Sequence, residues 1–279
     1  MSLIRVDVDK CSRDGICIEV CPLGILCADG EGRPQLLSPL AKYCIGCGHC
    51  SAVCPNGALE NLKNPLRDQS VIPENYVPEP AQSELFLRSR RSIRNYKNEP
   101  VAREKVVQLL NIARFAPSGH NSQGISYLIV DEAKDLARLR EIIVEWMREA
   151  RQSSPELSAY LNFPALIAAY GKGKDPVLRH APLLIAAHAP AGLITAQPST
   201  VLCLEYAELF APSLGLGTCW AGIAHRCAQT FPAFSEFLKI PADRKITGIL
   251  MAGYPRYGYH RLPARNPLEV TWLNGSNGG

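Results

Sequence analysis

The sequence has no run of 18 or more apolar residues, so no membrane-spanning helix is expected. Its first residues, "MSLIRVDVDKC", lack the apolar centre of a secretion signal, which favours a cytoplasmic protein. Excess charge is also missing: the net charge is +4, mild and dispersed, with no basic stripe or nucleic-acid motif. Nucleic acid is therefore not an expected partner. A dinucleotide fingerprint is absent as well, because the GLG at 215–217 closes an apolar helix-like run where that fingerprint would open one.

Cysteine, by contrast, is plentiful. Eight of the eleven cysteines fall within residues 11–54, while Cys203, Cys219 and Cys227 are scattered through apolar sequence. An odd count, tight CxxC spacing and no signal segment favour metal ligation in a reducing compartment over disulfides. Cys44, Cys47, Cys50 and Cys54 read C-x2-C-x2-C-x3-C-P. In that run three thiolates wrap one iron–sulfur cube and the fourth serves another cluster. Two-residue gaps aim successive thiolates at neighbouring irons, Gly46 and Gly48 allow close backbone approach, and Pro55 turns the chain away. The alternative is a structural zinc site, although zinc prefers two separated CxxC pairs.

An altered copy, "KCSRDGICIEVCP", lies upstream at 10–22. Aligned on its end, Cys11 matches Cys44, Cys17 matches Cys50 and Cys21 matches Cys54, with Asp14 at the position of Cys47. The repeat resembles a two-cluster bacterial ferredoxin, whose fourth ligands cross over. The resemblance implies one 4Fe–4S cluster on Cys44, Cys47, Cys50 and Cys21, and a second on Cys11, Cys17 and Cys54 with Asp14. Carboxylate is a harder ligand than thiolate and holds this iron less firmly. The second site is thus expected to be a 4Fe–4S cluster with an Asp ligand or a 3Fe–4S cluster, with a lost site as the alternative. Cys27 fits neither set and is expected to be a buried small hydrophobe. Between the copies, "ADGEGRP" predicts a turn joining two short extended pieces.

Residues 1–64 are therefore expected to form a small ferredoxin-like α+β domain. Four prolines and no sustained period mark 65–82 as a linker, and a second domain spans 83–279. There Ser83 suits a helix start, and Val106, Leu109, Leu110 and Ala113 recur at helical spacing before Pro117. Strands are predicted at 125–131, 182–189 and 245–255, an amphipathic helix at 132–152, and a long apolar helix over 198–217. A short helix is predicted in "FPAFSEFLKIP". Few strands and long helices predict an α+β sandwich, a central sheet covered by helices. The helix over 198–217, apolar nearly all round, suits deep core or a subunit interface.

Four stretches in this domain look unlike packing alone: "RRSIRNY" (90–96), "APSGHNSQ" (116–123), "SLGLGTCWAG" (213–222) and "GYP" with the arginines after it. Together and in this order they resemble the FMN-dependent nitroreductase family, and the whole chain resembles its branch with an N-terminal ferredoxin domain. The resemblance implies a homodimer with FMN in two clefts at the subunit interface. Carried over by position, Arg90, Ser92 and Arg94 would grip the FMN phosphate, with Arg91 beside them and Arg261 or Arg265 completing the clamp. Pro117, Ser118, Asn121 and Gln123 would lie in the loop that hydrogen-bonds the flavin, and Gly217, Cys219, Trp220, Ala221 and Gly222 beneath its ring. "QGIS" departs from the Gln-Pro-Trp of many members, so the shape of the substrate site does not transfer. Cys219 and His188 also have packing readings, a buried inert thiol and a satisfied core histidine, whereas His120 and His180 are exposed candidates for proton supply.

The expected function is an iron–sulfur flavoprotein oxidoreductase that passes electrons between clusters and FMN to reduce a small acceptor. The family suggests a nitroaromatic- or quinone-like acceptor and a donor such as ferredoxin or NAD(P)H. Two alternatives remain: NAD(P)H feeds the flavin and the clusters carry electrons out, or the chain is a redox sensor or electron-transfer protein without turnover.

Overall fold

A computed structural model describes residues 3–273. The chain begins with two antiparallel pairs: β1 (Ile4–Val6) with β4 (Leu59–Asn61), and β2 (Leu26–Ala28) with β3 (Pro34–Leu36). The β2–β3 pair is the hairpin expected around "ADGEGRP". Two one-turn helices, α1 (Ile16–Glu19) and α2 (His49–Ala52), pack together over a small core of Ile4, Cys17, Ile25, Leu26, Cys50 and Leu59. Cys27 is half-exposed on β2 and outside this core, not the buried hydrophobe expected. It sits on a two-stranded hairpin whose alternation turns it away from the core.

The next helix, α3 (Pro80–Ser89), starts three residues before Ser83. Pro80 supplies the first helical position, where its missing N–H costs nothing. There follow α4 (Arg103–Ala113), β5 (Ser126–Val130), α5 (Ala133–Ser153), α6 (Pro155–Leu161), α7 (Phe163–Gly171), β6 (Leu183–Pro190), α8 (Ala196–Phe210), β7 (Gly217–Trp220), α9 (Gly222–Thr230), α10 (Pro232–Phe237) and β8 (Arg244–Gly253). The helix expected over 198–217 ends earlier, at Phe210. A short 3-10 turn containing Pro212 follows, and Gly217 already begins a strand.

One antiparallel sheet, in the order β5-β6-β8-β7, divides two helical layers. Strand alternation sorts the core: Leu184 and Ala186 of β6 with Ile249 and Met251 of β8 face α5, α7, α9 and α10. Leu183, Ile185 and Ala187 with Leu250 and Ala252 face α4 and α8. Gly248 lets α8 sit directly on the sheet, since a Cβ there would lie 2.8 Å from Leu204 and Thr200. The fold is α+β, helices covering both faces of the sheet. Among the described residues no helix is long and apolar enough to cross a membrane.

Candidate functional site

The two cysteine copies fold alike. Gly15 and Gly48 precede α1 and α2, and both adopt φ of 75°. Only glycine takes that conformation cheaply. At Gly48 a side chain is also excluded by Asn64, whose Nδ2 would lie 2.6 Å from a Cβ.

Cys21, Cys44, Cys47 and Cys50 line one small cavity, together with Ile45, His49 and Asn61. Cys11, Asp14, Cys17 and Cys54 form a second neighbourhood. Burial raises the pKa of Cys17 to about 11, and the nearby charges of Asp14, Cys54 and Cys11 push it the same way. Each group contains the four residues that the crossed ligand sets require. Asp14 is exposed, its Oδ1 accepting the Ile16 N–H at 3.1 Å and its Oδ2 the Ser12 hydroxyl at 2.7 Å. Among the described residues, no three His, Cys, Asp or Glu side chains converge as a single metal ion would need. A cube carries iron at separate corners and takes its thiolates from separate positions, as the two groups of four would supply.

Three residues contact these thiols in ways not predicted. Buried Asn61 of β4 directs Nδ2 toward Cys44 Sγ at 3.6 Å and Cys50 Sγ at 3.8 Å. The Ala58 N–H donates to Cys54 Sγ at 3.2 Å, and His49 Nδ1 lies 3.1 Å from Cys47 Sγ. Hydrogen bonds to sulfur tune an iron–sulfur centre.

In the larger domain the stretch 90–96 is held by the sheet. Ser92 bridges Thr218 in parallel, Ile93 N–H donates to Thr218 O at 2.8 Å, and Tyr96 bridges Pro255. The strap places Arg90, Arg91, Ser92 and Arg94 in one cleft with Arg88 and Arg265. Exposed Arg261 does not line it. Arg94 also lines the adjoining cleft with Cys219, Trp220, Ala221 and Gly222, and Gly217 lines a third beside Arg90 and Arg91. Arg91 Nη1 donates to the carbonyls of Arg88 and Arg90, but its Nε and Nη2 are buried without partners. Orphaned guanidinium donors among further arginines fit a phosphate. Arg90 instead faces Glu205 and buried Glu208, at 3.7 and 3.8 Å. Burial raises the pKa of Glu208, Arg90 opposing.

The 117–123 loop lies elsewhere. Gly119 N–H meets Ser199 near the start of α8, whereas Arg90 meets Glu205 and Glu208 toward its end. Six to nine residues of helix separate them, about 9–14 Å along the axis. Ser118 and Gln123 line their own cleft with Asn111, Arg114, Tyr127 and Cys203. Exposed Pro117 and half-buried Asn121 are absent from the arginine cleft, and Asn121 Nδ2 donates to Ile45 O at 3.0 Å. A single copy does not unite the loop with the arginines.

His188 accepts a hydrogen bond from Arg244 Nε at Nδ1, 2.7 Å away, and burial lowers its pKa. It is a satisfied structural histidine. Cys219 is buried, and burial raises its pKa. His120 and His180 are exposed and line neither the arginine cleft nor its neighbour.

Residues 87–254 match the model of the nitroreductase family, and residues 41–60 that of the 4Fe-4S binding domain. A 5,6-dimethylbenzimidazole synthase of Rhodospirillum rubrum is 30% identical over 182 residues, 60% of this chain and 79% of that protein. An iodotyrosine deiodinase of Thermotoga neapolitana is 26% identical over 195 residues, 67% of this chain and 95% of that one. Among solved structures, a nitroreductase with bound FMN from Bacteroides fragilis superposes with a TM-score of 0.54 at 19% identity, covering 70% of this chain and all 100% of its own.

Proposed function

Because the chain belongs to the nitroreductase family and carries a 4Fe–4S-binding motif, we propose that this FMN-dependent oxidoreductase draws electrons through its cysteine module to reduce a small organic acceptor. The observation that carries the reading is the presence, in one chain, of a cavity lined by four cysteines and an arginine cleft with orphaned donors. When bound, FMN exchanges one or two electrons and each cluster one, which joins single-electron supply to two-electron reduction.

The residues divide the work. Arg91, Arg94 and Arg265 hold the phosphate, with Ser92 as a further donor, and Arg90 is restrained by Glu205 and Glu208. The backbone of 217–222 lies beneath the ring. Two copies complete the flavin site, bringing the 117–123 loop of one to the arginines of the other. Val201, Leu202 and Tyr206 leave an exposed apolar stripe on α8 that suits such a dimer. Cys21, Cys44, Cys47 and Cys50 hold a 4Fe–4S cluster. Cys11, Cys17, Cys54 and Asp14 hold the second, with three irons or with a fourth on Asp14. A ferredoxin-like donor feeds the module, and the acceptor is nitroaromatic- or quinone-like.

The test is anaerobic. Oxidised protein is mixed with reduced ferredoxin or, separately, with NADPH or NADH, and flavin absorbance is followed. Bleaching by ferredoxin alone is expected; rapid bleaching by the nicotinamide would reverse the reading and make the clusters the exit.

A further inference from the structure

Among the described residues, a single side-chain hydrogen bond joins the cysteine module to the larger domain: Asn121 Nδ2 to Ile45 O. Its two ends are specific places. Ile45 lies between Cys44 and Cys47 and lines the same cavity as Cys21, Cys44, Cys47 and Cys50. Asn121 lies in the loop that, on the reading above, meets the flavin.

Resting on that reading, we propose that the Cys21/Cys44/Cys47/Cys50 set faces the flavin site, and that Asn121 is the positioning residue that seats its loop there. The Asp14 set then faces outward, toward a one-electron protein carrier. On that reading two one-electron carriers would be oxidised, one at a time, for each two-electron reduction of the flavin, with the protons taken from solvent.

Three features support the assignment. The loop carrying Asn121 holds an uncommon backbone: His120, Asn121 and Gln123 all have positive φ, at 52°, 51° and 47°. Ser118 Oγ accepts the Gln123 N–H at 3.0 Å, and a side chain at Gly119 would collide with Thr195. An amide has two N–H donors and a carbonyl, so the bond to Ile45 leaves Asn121 one donor and its oxygen for a second partner. Among the described residues the opposite copy offers no such contact: Ser12, Arg13 and Asp14 are exposed, and Asp14 bonds there only to Ser12 and Ile16.

The experiment uses full-length, cofactor-loaded protein. Asn121→Gly keeps the left-handed backbone and deletes the amide, whereas Asn121→Asp keeps the size but sets an acceptor against the Ile45 carbonyl. Asp14→Cys identifies which EPR signal of the reduced protein belongs to the outward set. We expect both Asn121 variants to shift the potential and EPR signal of the other cluster while the Asp14-set signal stays in place. Hydrogen exchange at 44–48 should speed up on the order of fivefold, the scale of one lost hydrogen bond. A shift in the Asp14-set signal, or no shift in either, would overturn the assignment. Wild-type protein lacking flavin or clusters would overturn the underlying reading, and that control needs no variant.

Discussion

The cysteine module and the larger domain build their sites in opposite ways. In the first, all eight candidate ligands gather into two groups within about fifty residues of one chain, fixed by two one-turn helices and their left-handed glycines. In the second, the arginine strap and the 117–123 loop meet different parts of α8, and neither cleft holds both. A site closed within a chain depends on that chain's folding alone. A site split across a surface also depends on assembly, so the two cofactor classes should be separable by mutation.

The sharpest separation is expected from Cys47→Ala. It should remove roughly half of the iron, since two sites share it, and leave FMN content unchanged. An unchanged iron-to-protein ratio would break the assignment of Cys47. Next comes Tyr206→Glu, which sets a charge on the apolar stripe of α8. Sedimentation should show a monomer that has lost FMN but kept its iron; a monomer that retains FMN would mean the flavin site closes within one chain. Arg91→Ala deletes the two orphaned donors and should weaken FMN binding roughly 10- to 100-fold, the scale of one or two charge-assisted hydrogen bonds. Equilibrium dialysis of the apoprotein would measure it, and unaltered affinity would place the phosphate elsewhere.

The smallest effect concerns Glu208. Burial raises its folded-state pKa above the unfolded value, so the folded state binds the proton more tightly. Stability should therefore fall as pH rises from the unfolded value through the folded one. Glu208→Gln should flatten that slope in denaturant titrations and free Arg90 from one of its two carboxylates. An identical slope would show that Glu208 is not the titrating group.

These contrasts also explain what could be read from sequence. Cysteine ligands sit at short, fixed separations, so the motif and its damaged copy were visible as spacing. Asn61 carried no such signal: it reaches Cys44 and Cys50 because β4 pairs with β1, a long-range event. β7 has no strand signal in the sequence, because four residues on a sheet edge are too few to show alternation. α6, α7 and α9 also went unpredicted. Spacing left the choice between Arg261 and Arg265 open; the folded chain brings Arg265, more than 170 residues away, into the arginine cleft and leaves Arg261 outside it. Arg91, which the resemblance sets only beside the phosphate grip, carries the orphaned donors. Its burial follows from how the strap lies against β7, which is a property of the sheet.

The strap has a further consequence. Residues 92–96 are paired to β7 and to the segment after β8, so the arginine segment takes its shape when the domain core forms. Little backbone freedom is left for the phosphate to restrict. Stripped protein should thus present a preformed anion receptor, and reloading it should behave as docking to a ready mould, fast and free of any refolding phase.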